Sequence, residues 1–192
     1  MYLFFMNNKI NSKPYLKKIN SAFTKKVEND IQKLAIELNN SWKKDKNIFI
    51  CGNGGSSANA MHIANDFIYG AGIHKNGGLK IEALTSNSSV ITCLANDIGY
   101  ENIFSEQLKV KANKGDLLII LSGSGNSLNV INALNFAKDN KIKSFSILGY
   151  DGGECKKISD HSIHFNINDM QVSEDLQLIT GHLCMQWLLN NS

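Results

Sequence analysis

Two short segments of the 192-residue chain have the composition of anion cradles, and a few acid and imidazole side chains stand where they could move a proton. "GNGGSS" at 52–57 and "SGSGNS" at 122–127 each follow an apolar, strand-like run and each open a stretch with helical spacing. Glycines let a backbone turn sharply and approach a ligand, and the unpaired N–H groups at the start of the next helix attract negative charge. Ser56, Ser57, Ser122, Ser124 and Ser127 add hydroxyl donors. One such loop is also what a plain strand-to-helix turn looks like; two of them at equivalent strand ends point to phosphate. Neither fits G-x-x-x-x-G-K-[ST], and "GNGGSS" lacks the last glycine of G-x-G-x-x-G, so no nucleotide cofactor is expected.

Downstream of the first loop, His62 and Asp66 are four residues apart and share one helix face. His182 lies in the last helical segment, behind Glu174 and Asp175. Both histidines also have a plain structural reading: His62 as a hydrogen-bonded helix-face residue, His182, between Leu178 and Met185, as a core or interface residue. His74, His161 and His164 have no partners at a telling spacing and read as structural.

The elements that must position these residues follow from periodicity. Apolar residues recur at three- and four-residue steps from about Ser12 to Lys44, an amphipathic helix with room for one break. Five apolar runs then alternate with helical segments: "NIFICG", "LKIEALT", "DLLIILS", "KSFSILGY" and "HSIHFNI" against Ser57–Tyr69, Asn87–Ala112, Leu128–Asn140, a short piece near Lys156, and Val172–Leu189. Strands alternating with helices imply an α/β fold, a doubly wound five-stranded parallel sheet with ligands beyond the carboxyl ends of its strands. No repeat or linker interrupts the chain, so 1–192 reads as a single domain: a helical segment over 12–44, an α/β core over 46–168 and a C-terminal helix over 172–189. "GYDGG" at 149–153 reads as a turn, and the stripe Leu176, Ile179, Leu183, Trp187 as subunit or core packing.

Composition narrows the class. A hydrophobic content of 43%, a charged content of 19% and a formal charge of +3 suit a soluble globular protein. Lysines crowd the first 46 residues but are interspersed with apolar positions, as on a solvated helix face, and no direct nucleic-acid surface is expected. "MYLFFM" is too short for a secretory segment and no run approaches membrane-spanning length, which makes cytoplasmic localisation the expectation. Cys51, Cys93, Cys155 and Cys184 are scattered without a C-x-x-C pair and read as reduced, mostly buried thiols.

Taken together, "CGNGGS", "AMH" with an acid four residues after the histidine, "ANDIGY", "SGSGNS" and "GH" in the last helix resemble the sugar isomerase (SIS) domain family, in particular its phosphoheptose isomerase branch. The resemblance implies a flavodoxin-like sheet and a homotetramer with active sites at subunit interfaces. It implies conversion of a ketose phosphate, sedoheptulose 7-phosphate, to an aldose phosphate for surface polysaccharide. The ligand set would comprise Asn53, Gly54, Gly55 and Ser56 along the sugar phosphate, Ser122, Gly123, Ser124 and Ser127 on the phosphate, Asn96 and Asp97 on the sugar, with Asp66 and Glu174 also in the site. Asp66 and His182 would carry the acid–base chemistry, and His62, Asp66, Glu174 and His182 could hold zinc or another divalent cation. Eight residues of straight helix separate Glu174 from His182 by about 12 Å, so joint ligation requires an irregular helix start or another subunit.

This sequence departs from the family pattern at four places. Asp66 stands for a usual Glu, Glu174 for a usual Gln, Gly70 for a usual Arg and Gly123 for a frequent Thr. The departures at Gly70, Glu174 and Gly123 motivate an alternative, a non-catalytic phosphosugar-binding or adaptor protein like the relative that associates with the replication initiator.

Overall fold

The computed structural model describes residues 10–73 and 77–191, so "MYLFFM" and His74 lie outside the described residues. Its first helix, α1 (Lys13–Ala22), carries Pro14 in the first turn, where a missing N–H goes unnoticed. The second, α2 (Lys25–Lys43), starts afresh at Thr24, whose extended backbone lets its hydroxyl accept from the Val27 N–H at 3.3 Å. The single amphipathic stretch expected over 12–44 is therefore two helices, broken where a capping threonine meets Phe23.

Five strands follow: β1 (Ile48–Gly52), β2 (Ile81–Ala83), β3 (Leu117–Ser122), β4 (Lys143–Leu148) and β5 (His161–His164). All pair in parallel in the order β2–β1–β3–β4–β5, the flavodoxin-like arrangement. The remaining helices are α3 (Gly55–Ile68), α4 (Ser88–Ile98), α5 (Ser105–Lys111), α6 (Leu128–Asp139), α7 (Gly153–Ile158) and α8 (Met170–Asn191). The helical region read over Asn87–Ala112 is thus two helices joined by a short 3-10 turn at Tyr100–Asn102.

Both faces of the sheet are covered, which is why its strands read as unbroken apolar runs. Ile48, Ile50, Leu117, Ile119, Leu121 and Ile147 point to one face, beneath α2, α3 and α8. Phe49, Cys51, Leu118, Ile120 and Leu148 point to the other, against α5, α6 and α7. Cys51, Cys155 and Cys184 are buried within these layers, and burial pushes the Cys155 and Cys184 thiols up to about 12. Only Cys93 is exposed among the four.

The helix α4 differs from the others. Its sequence, SSVITCLANDI, is apolar along much of its length, yet none of its residues is buried.

Candidate active site

Strand order reverses between β1 and β3, since β1 is followed in sequence by a neighbour on its other side. At that switch point the carboxyl ends of two adjacent strands open a crevice. The two glycine-serine segments lie there: one leaves β1 and enters α3 at Gly55, the other leaves β3 and enters α6 behind Ser127. Between them is a cavity of about 250 Å³ lined by Asn53, Gly54, Gly55, Ser56, Ser122, Gly123, Ser124 and Ser127, closed on one side by Met170 and Glu174 of α8.

The starts of α3, α6 and α8 all border this cavity. Those of α3 and α6 carry the partial positive charge of N–H groups unpaired within the helix and favour an anion without any cationic side chain, whereas at α8 the Asp169 carboxylate already accepts from the Val172 N–H at 3.2 Å. None of the lining residues is a lysine, and the sequence contains no arginine.

The second loop is held by its own side chains and by the turn at 149–153. The Gly125 N–H donates to Ser122 Oγ at 3.0 Å, and the Asn126 N–H to Ser124 Oγ at 3.3 Å. The Cys155 N–H donates to the Gly125 carbonyl at 2.9 Å, and the Glu154 N–H to Asn126 Oδ1 at 3.0 Å. Across the crevice, Asn53 and Asn129 exchange amide hydrogen bonds of 2.9 and 2.8 Å, and the Tyr100 hydroxyl donates to Asn53 Oδ1 at 2.9 Å. Asn129 and Tyr100 were not singled out from sequence. Asn129 follows Ser127 by two residues, which was the available signal; Tyr100 closes "ANDIGY", but its contact with Asn53 spans 47 residues and no role was assigned to it.

Helices α3 and α8 run side by side in the same direction. Their contacts step along both chains together: Gly55 with Glu174, Asn59 with Gln177, Ile63 with Gly181, His62 with His182, Gly70 with Met185. Two turns beyond the cavity this pairing brings three reactive groups to one spot. His62 Nε2 is 3.2 Å from His182 Nε2, and Asp66 Oδ2 is 3.5 Å from the first and 3.4 Å from the second. The imidazoles meet edge to face, 5.3 Å between centroids, and remain about half exposed while the carboxylate is mostly covered. Acid and imidazole thus form one cluster within a chain.

Glu174 does not join this cluster. The regular course of α8 from Met170 to Asn191 keeps it a full two turns away, at the cavity. Asn96 and Asp97 are exposed on α4, where the Asn96 amide donates to Asp97 at 2.8 Å, and neither lines the cavity. At Gly70 a Cβ would overlap with the Met185 methyl, and at Gly123 it would fall 2.7 Å from Met170 Sδ. Two methionines therefore fill the space vacated at two of the departures, which no local pattern announced. His161 packs on Phe145, and His164 bonds the Tyr150 carbonyl at 2.9 Å.

The α3–α8 contact depends on a small residue. A Cβ on Gly181 would lie 2.6 Å from Ile63 Cγ1. Gly181→Ala should cost about 1–3 kcal/mol through overpacking. It should also slow turnover by displacing the adjacent His182; thermal melting and steady-state kinetics check both effects.

Comparison with known proteins identifies the family and the fold. The SIS domain family matches residues 14–149. The phosphoheptose isomerase of Aliarcobacter butzleri (strain RM4018) is 38% identical over 158 residues, 82% of each chain. That of Helicobacter pylori (strain P12) is 35% identical over 171 residues, covering 89% of this chain and 86% of the relative. Among solved structures, phosphoheptose isomerase GmhA from Neisseria gonorrhoeae superposes with a TM-score of 0.82 at 26% identity, over 92% of this chain and 95% of that one. A phosphoheptose isomerase from Francisella tularensis shares the fold, with a TM-score of 0.84 at 21% identity over 93% and 96%.

Proposed function

We propose, for a chain that belongs to the SIS domain family, that it is an aldose–ketose isomerase of the phosphoheptose isomerase type, converting sedoheptulose 7-phosphate to a heptose 7-phosphate in heptose biosynthesis. One observation carries the reading: a cation-free anion cavity and an acid–imidazole cluster lie on the same pair of parallel helices, roughly 10 Å apart by helix rise. That separation suits a long sugar chain held by its terminal phosphate at one end and reacting at the other.

In this reading the phosphate rests among Ser122, Gly123, Ser124 and Ser127, with Asn53, Gly54, Gly55 and Ser56 along its opposite side. Asp66 takes the proton from the carbon beside the carbonyl and returns it to the neighbouring carbon, through a cis-enediol. His182 moves the hydroxyl proton between the two oxygens, held in place by His62. General acid–base catalysis of this kind contributes about 10²–10⁴-fold to rate.

The cluster also fits a metal ion. Its three donor–donor edges of 3.2, 3.5 and 3.4 Å match the edges of about 3.3 Å in a tetrahedron with zinc–ligand bonds near 2.0–2.1 Å. His62, Asp66 and His182 would hold zinc or a similar divalent cation with one position open, a state in which His182 Nε2 would be a ligand and not a proton carrier, and Glu174 would not be a ligand within the same chain. When bound, such an ion acts as a Lewis acid toward the carbonyl oxygen.

Assembly into a homotetramer is supported by apolar surface left open: Ile98 at the end of α4, Ile68 and Tyr69 beyond the cluster, and the groove where Ile179, Leu183 and Trp187 face Phe23 and Ile31. Covering α4 would bring Asn96 and Asp97 of one subunit to an interface, the setting in which they could contact a sugar. No helix is long and apolar enough to cross a membrane, and cytoplasmic localisation remains part of the proposal.

Purified protein should turn over sedoheptulose 7-phosphate, and His62→Ala should lose both metal, measured by elemental analysis, and most of that activity. Absence of turnover with several ketose phosphates, with and without zinc, would favour the adaptor reading instead.

A further inference from the structure

The cavity read above as the phosphate site already contains a negative charge. Glu174 is its single acidic lining residue, among amides, hydroxyls, glycine backbone and two apolar side chains. Its carboxylate sits directly on Gly55: a Cβ added there would overlap with both oxygens and the carboxyl carbon. Gly55 is the first residue of α3, whose opening N–H groups have no carbonyl within the helix to bond. The carboxylate thus places a negative charge inside the cavity, against the start of α3, where no N–H among the described residues donates to it.

Its placement is enforced from the backbone. Asn59, one turn into α3, donates from its side-chain amide to the Glu174 carbonyl at 2.9 Å and to Gln177 Oε1 at 3.2 Å. This ties the first turns of α8 to α3 and aims the Glu174 side chain at the start of α3. No cation competes for it: none of the ion pairs among the described residues includes Glu174.

We propose that Glu174 is a built-in competitor of the substrate's phosphate: it occupies the start of α3 in the ligand-free protein and must swing out before a phosphosugar can enter. This inference rests on the reading of the cavity as a phosphate site. Its consequence is selectivity. Inorganic phosphate has only the anion contacts with which to displace the carboxylate, whereas a phosphosugar adds hydroxyl contacts along the crevice and clears the same barrier with energy to spare.

The test is calorimetric titration of the full-length protein and of Glu174→Gln with inorganic phosphate, alongside thermal melting of both without ligand. The variant keeps the size and loses the charge. It should bind phosphate about tenfold more tightly, since two like charges within a few ångströms repel by more than 1 kcal/mol even when well solvated. It should also melt lower by about 2 °C when ligand-free, because a carboxylate at a helix start is stabilising. Opposite signs in the two measurements are the signature of a competitor. A packing residue would lower melting without tightening phosphate, and a phosphosugar ligand would weaken it; either result overturns the proposal while leaving the phosphate site intact. Failure of both proteins to bind phosphate would overturn the reading of the cavity itself, and the proposal with it.

Discussion

Asp66→Asn should lower kcat for ketose phosphate about a thousandfold and leave the affinity for inorganic phosphate unchanged. The two shapes are nearly identical, so the helix contacts of α3 persist. What disappears is the proton acceptor and, with it, the only carboxylate among the described residues within reach of both imidazoles, 3.5 Å from His62 and 3.4 Å from His182. Phosphate binding survives because the cavity lies two helical turns away and includes none of these three residues. A loss of tenfold or less would remove Asp66 from the role of base. The companion variant Asp66→Glu restores the acid but moves it by about one bond length; misplacement on the scale of 1 Å can cost about a hundredfold. It should therefore fall between wild type and Asp66→Asn. Steady-state rates for the three proteins, with phosphate titrations as control, settle the order.

The division between what sequence revealed and what it hid follows from how far each signal travels along the chain. The strands were legible because a parallel sheet covered on both faces leaves no polar alternation, so "FIC" and "LLIIL" stand out as runs. The two loops were legible because glycine and serine at a strand end are a local chemical requirement. His62 and Asp66 were legible as neighbours because one helix turn separates them. Their meeting with His182 lies 120 residues away in sequence, and only the side-by-side packing of α3 and α8 creates it. The arithmetic of helix rise kept Glu174 and His182 apart, as the regular α8 now does. Resemblance supplied roles for Asn96 and Asp97, but a single chain leaves them on the exposed face of α4. The methionines at Gly70 and Gly123 were invisible for a different reason: an unbranched thioether fits many gaps, so its type carries no positional signal.

The second large effect falls on the fold of the phosphate loop. Gly125 has φ +69°, a conformation costly for side chains, and a Cβ there would also overlap with the carbonyl oxygen of Gly152. Gly125→Ala therefore combines backbone strain of about 1 kcal/mol with a clash against rigid backbone worth about 1–3 kcal/mol. Relief requires the 122–127 loop and the 149–153 turn to separate, which breaks the Cys155 N–H bond to the Gly125 carbonyl and the Glu154 N–H bond to Asn126. The melting temperature should fall by about 10 °C and phosphate binding should be lost with it. Gly54 supplies the control, because it too has positive φ, at +54°, but a Cβ there meets nothing within 4 Å. Gly54→Ala should cost only the backbone term, about 1–3 kcal/mol at φ +54° and ψ −123°, with no clash against the 149–153 turn. Equal losses in the two variants would mean that strain alone governs both sites and that the contact between the phosphate loop and the 149–153 turn contributes nothing. A large difference would show that the second half of the anion cradle is built by that contact, between segments that follow adjacent strands in the sheet.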